Sequence, residues 1–128
     1  MSLCILAGAG LLRLAVAGFT LTWTHSIEKT RWEEDWLVSG DHLILVQARI
    51  ESMGAGMEPG PDARFDGTWW RWTPKVPPLP ELLLRRSDAI PQGWGLFAGG
   101  ECRRIGAAGE SADVVVLSGC DYTNGVPP

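Results

Sequence analysis

Positive charge is in short supply: 11 Lys and Arg stand against 15 Asp and Glu, a net charge of −4 over 128 residues. A protein that binds nucleic acid mainly through phosphates needs a basic face, so that class is excluded. Cysteine is scarcer still. Cys4, Cys102 and Cys120 are odd in number and widely spaced, which is not a disulfide framework. No pair has C-x-x-C or zinc-knuckle spacing. They read as three small buried or partly buried thiols, with one bridge open to the chain if it is exported. Only His25 and His42 are present as histidines, and no acidic residue is spaced to complete a metal site with them. No metal and no cofactor is therefore expected. Long helices are disfavoured too, because 16 Gly and 9 Pro punctuate the chain. No internal repeat or low-complexity tract is visible.

The apolar run at residues 3–19 lacks the marks of a targeting segment. No positive charge precedes it, Arg13 interrupts it where a bilayer would make charge costly, and it flows directly into a patterned strand. A hairpin accounts for it: Leu3–Ala7, a turn near Gly8–Gly10, then Leu12–Phe19. This goes with a cytoplasmic protein that has no membrane span. The alternative is a periplasmic or membrane-associated protein with the run as its N-terminal signal.

Apolar residues make up 45% and charged residues 20%, enough for one packed domain in 13.9 kDa. The clearest pattern is period 2. Phe19, Leu21, Trp23, His25 and Ile27 fall on one face of a strand, and Thr20, Thr22, Thr24 and Ser26 on the other. Trp32, Glu34, Trp36 and Val38 share a face of the next. A symmetric four-residue loop, Glu28 to Arg31, would oppose residues whose numbers add to 59. His25 then faces Glu34, Trp23 faces Trp36 and Leu21 faces Val38, all on one face. After the Ser39-Gly40-Asp41 turn, numbers adding to 81 oppose Val38 to Leu43, Trp36 to Leu45 and Glu34 to Gln47. A bulge in this third strand would shift the pairing by one. Further strands are read at residues 68–72, 94–98, 101–105 and 113–118. Residues 53–67 read as a loop, and 73–81 as an extended proline-rich segment that cannot donate to a ladder. Residues 82–86 stay open between strand and helical turn. The domain spans 1–120, with 121–128 as a flexible tail.

The chemistry centres on His25 and Glu34, polar residues on an apolar face, with Gln47 as a third member. A buried carboxylate needs a hydrogen-bonding partner, and an imidazole supplies one. Two readings stand open: a proton-transfer or ligand-binding pair, and a structural pair that fixes register. Ser26 points away from His25 in a regular strand, which disfavours a Ser/His/Glu triad. Gly54-Ala55-Gly56 could present backbone amides to an anion or simply form a tight turn.

Taken together, Phe19 to Glu28, with His25-Ser26 inside it, Trp32-Glu33-Glu34, and Gly54-Ala55-Gly56-Met57 resemble the bacterial family called domain of unknown function 1850. The likeness runs over about residues 3–118. It implies a small β-rich protein, with His25, Ser26, Glu34, Gly54 and Gly56 at the family's motif positions. Family members are often encoded beside TRAP-type transporters of the TAXI class, which implies TRAP transporter subunits as partners. Many carry an export signal, and close members have Cys where Phe97 stands, opposite Cys102, so a cross-strand bridge is expected to be absent here.

The expected fold is all-β: a single-domain antiparallel sandwich or partly open barrel, mostly a meander, of about eight strands. The expected function is a non-enzymatic binding or accessory protein of TRAP-type solute uptake. The alternative is a small enzyme or ligand pocket using His25 and Glu34, with Gln47, Ser26, Gly54 and Gly56 as the other candidates.

Overall fold

Alternating apolar and polar residues leave each segment with one face to bury, and glycine and proline keep the segments short. The computed structural model describes residues 1–24, 29–51, 62–87, 90–106 and 113–120. Among these there are eleven strands and no helix. They are β1 (Leu3–Ala7), β2 (Gly10–Leu14), β3 (Gly18–Thr24), β4 (Arg31–Ser39), β5 (His42–Glu51), β6 (Arg64–Phe65), β7 (Trp69–Trp72), β8 (Glu81–Arg85), β9 (Trp94–Ala98), β10 (Glu101–Ile105) and β11 (Val114–Gly119). A four-stranded antiparallel sheet, β2-β1-β11-β8, lies with a seven-stranded one, β10-β9-β3-β4-β5-β7-β6. The sheets do not close into a barrel.

The N-terminal apolar run is a hairpin, but its second strand ends at Leu14. Residues 15–17 then carry the chain across to the large sheet, where β3 begins at Gly18. That division is one reason there are eleven strands and not about eight. Residues 82–86 resolve as strand, because β11 offers β8 a full antiparallel partner. The proline-rich segment, expected not to donate to a ladder, does so where a residue between its prolines keeps an N–H: Leu79 donates to the Leu43 carbonyl at 2.9 Å and accepts from Leu43 at 2.7 Å, and its last residue, Glu81, opens β8.

The core lies where the sheets face each other. Leu3, Ile5, Val115 and Leu117 of the small sheet meet Phe19, Leu21, Trp36, Val38, Leu43, Leu45 and Leu96 of the large one. At one margin the contact is backbone to backbone. A Cβ on Gly119 would lie 2.5 Å from the Gly40 carbonyl oxygen, so only glycine fits there.

Two sequence expectations are corrected. Cys4 and Cys120 are not free thiols; they form a disulfide with Cα atoms 5.8 Å apart. Their separation of 116 residues conceals that β1 and β11 are neighbouring strands. The β3–β4 register also differs. Opposed numbers add to 55: Phe19 faces Trp36, Leu21 faces Glu34 and Trp23 faces Trp32. The faces are as expected, because the slip is an even number of residues, but every pair along the ribbon changes. Trp23 stacks on Trp32 with ring centroids 6.0 Å apart, and Phe19 stacks on Trp36 at 6.3 Å.

Candidate functional site

Glu34 is fixed by two registers at once. It lies opposite Leu21 on β3 and Ala48 on β5, on the face that carries the core. Trp32 and Trp36 flank it along β4, and Trp72 follows Ala48 across β5 and β7. Burial pushes its carboxyl above the ordinary value of 4.5; the Trp36 indole Nε1, donating at 3.3 Å, pulls the other way and does not win. Such a carboxyl can hold a proton or present an acceptor inside an aromatic layer.

The expected partners of Glu34 fare differently. Gln47 is not one. The β4–β5 pairing adds to 81 from the turn as far as Trp36–Leu45, then shifts by one, so Asp35 meets Gln47 and Glu34 meets Ala48. This bulge at Val46 sends Gln47 to the opposite face. There its Oε1 accepts from Arg71 Nη1 at 3.0 Å. His25, Ser26, Gly54 and Gly56 lie outside the described residues.

The opposite face of the large sheet carries a polar row that follows the ladder: Arg104, Gly95, Thr22, Glu33, Arg49, Arg71 and Arg64. In its middle the charges are matched. The Arg49 guanidinium reaches Glu33 and Asp35 at 2.7 Å each and lies 5.8 Å from the centroid of the Trp69 ring. Burial works against the Asp35 charge, yet hydrogen bonds from Arg49 and Thr20 hold its pKa below 3.8. Farther along, backbone N–H donors of Trp69 and Thr68, with the Arg71 side chain, bring Asp66 down to about 2.

At the other end the row opens into a groove of about 710 Å³. Its floor exists because position 95 is glycine: a Cβ there would lie 2.8 Å from Thr22 Cγ2. Thr22, Thr24, Trp23, Gln92 and Gly93 contribute walls, and Lys29, Arg31, Arg103 and Arg104 contribute charge. Cys102, the exposed free thiol, also lines it and pairs across β9–β10 with Phe97. The sequence reading missed this groove, because its cations come from separate segments. The available signal was Gly95 inside a strand, a residue that weakens a strand unless something must come close.

The model of a family described as Domain of unknown function (DUF1850) matches residues 19–105. The chain belongs to that family. Neither a curated protein nor a solved structure matches it. The DUF1850 segment is narrower than the 3–118 of the sequence resemblance. Apart from Gly18, the first residue of β3, it contains the strands of the large sheet and β8, and therefore the groove and Glu34, but neither cysteine of the bridge. Among the described residues no group of three His, Cys, Asp or Glu side chains could hold a metal ion. No helix among them is long and apolar enough to cross a membrane.

Proposed function

We propose that this DUF1850 protein is a non-enzymatic binding or accessory protein of TRAP-type solute uptake, and that the groove on the large sheet is its binding site. The groove carries the reading. Its volume of about 710 Å³ lies in the range of small-molecule sites, and its base is paired sheet, which is preformed. The link to TRAP subunits rests on the family resemblance alone. Co-purification of the tagged chain from detergent-solubilised membranes of its own cells tests it. Retention of transporter subunits is expected; recovery of the chain alone would contradict the link and leave the groove to be tested separately.

The Cys4–Cys120 disulfide supports an oxidising compartment for this chain, in place of the cytoplasmic location expected from sequence. Acid quenching of cells followed by thiol alkylation of the denatured chain without reductant tests this: one modifiable cysteine is expected in the export reading, three in a reducing cytoplasm.

The enzyme alternative draws on Glu34, whose raised pKa suits an acid catalyst. The register expected to oppose Glu34 to His25 is not the one formed, since Leu21 stands opposite Glu34, and His25 itself lies outside the described residues.

A further inference from the structure

The cations of the large sheet's polar face are distributed unevenly with respect to their partners. Arg49 and Arg71 are matched by Glu33, Asp35 and Asp66. Of the chain's 11 Lys and Arg residues, four line the groove, although the whole chain is acidic. Glu33 is the one carboxylate among the described lining residues, and Arg49 already holds it at 2.7 Å. Among the described residues Lys29 and Arg31 have no ion-pair partner, and Arg104 donates to the Gln92 carbonyl, at 2.8 Å, and pairs with no carboxylate. Unmatched charges of one sign, gathered in a concavity, focus potential onto its interior.

One further detail points the same way. Lys29 is the one described non-glycine residue with its backbone in the left-handed region, at φ 54°. Strain of this kind is retained where surrounding structure imposes it, often at ligand sites.

We infer that the groove takes a small oxyanion, a carboxylate or phosphate group held by Arg31, Lys29 and Arg104, with the Thr22 and Thr24 hydroxyls available to the rest of the molecule. The inference rests on the binding reading of the groove and adds the chemical class of the ligand. Arginine forks and an ammonium suit this chemistry because charge-assisted hydrogen bonds to oxyanions are the strongest ones a protein side chain makes.

Titration calorimetry of the full chain at low salt, with succinate, inorganic phosphate and uncharged succinamide, tests it. Succinate and phosphate separate organic from inorganic oxyanions; succinamide keeps the size and drops the charge. At least one anion is expected to bind with one-to-one stoichiometry, at least about tenfold more tightly than succinamide, and more weakly as salt rises. Arg31→Ala and Lys29→Gln, both at exposed positions that leave the core intact, should each weaken it about tenfold. Arg64→Ala, on the same face but distant in the strand order, should change nothing. Succinamide binding as tightly as succinate, with Arg31→Ala unchanged, would overturn the oxyanion class and leave a groove that binds neutral molecules. Equal losses in Arg31→Ala and Arg64→Ala would overturn it as mere surface charge. No binding of any probe at millimolar concentration would overturn both the inference and the reading beneath it.

Discussion

Glu34 is a carboxyl held among tryptophans by its register, and the cost falls on its charged form. Its pKa is raised in the folded state, so between the unfolded value and the folded one the native chain binds the extra proton. Stability from this group therefore falls as pH rises through that window and levels off above it. Glu34→Gln keeps an acceptor for Trp36 Nε1 and removes the charge. At pH 7 the variant should be more stable than the parent by about 1 kcal/mol, with the advantage shrinking toward pH 4. Urea denaturation at several pH values checks this; a variant less stable than the parent at pH 7 would mean that the charge is compensated. Asp35 has the opposite sign. Its lowered pKa contributes stability above the unfolded value, lost as pH falls through the folded one.

Elements show how far the sequence could be read. Alternation in residues 19–24 and 32–38 placed the right side chains on the core face, because a strand's period of 2 distinguishes odd from even positions. It could not tell 59 from 55, since both are odd and both put Phe19, Leu21, Trp23, Glu34 and Trp36 on one side. Only the length of the connection decides between them, and that is set by the turn. The third strand was legible up to Leu45, where the tight turn at Gly40 and Asp41 dictates pairing. Beyond it a single bulged residue, Val46, moved Gln47 away from Glu34. Gly95 and the cations around it carry no periodic signal, so the groove emerged only with the sheet order. The fit between sheets is tightest at Gly119, where a Cβ would meet backbone. Gly119→Ala should destabilise the fold by about 1–3 kcal/mol, because the opposing β4–β5 turn cannot rotate away as a side chain could. A thermal midpoint equal to the parent's would contradict that close approach.

For the whole molecule, one covalent bond ties the first strand to the last, and the sheet that carries the groove lies between them in the chain. Bridging residues 116 apart removes much of the unfolded chain's freedom. Cys4→Ser with Cys120→Ser should lower stability by about 2–5 kcal/mol and make the melting temperature insensitive to reductant. A melting temperature that reductant does not move in the parent would mean the bond contributes nothing. The groove itself lies in the other sheet, at the β10 edge, and its walls come from the DUF1850 segment. A titration of the isotope-labelled chain with succinate, followed in its amide spectrum, examines that site most directly. The account predicts shifts concentrated at Thr22, Thr24, Gly93, Gly95 and Cys102, with Leu6 and Leu83 on the outside of the small sheet unmoved. Shifts clustered on the small sheet, or none at all, would contradict it.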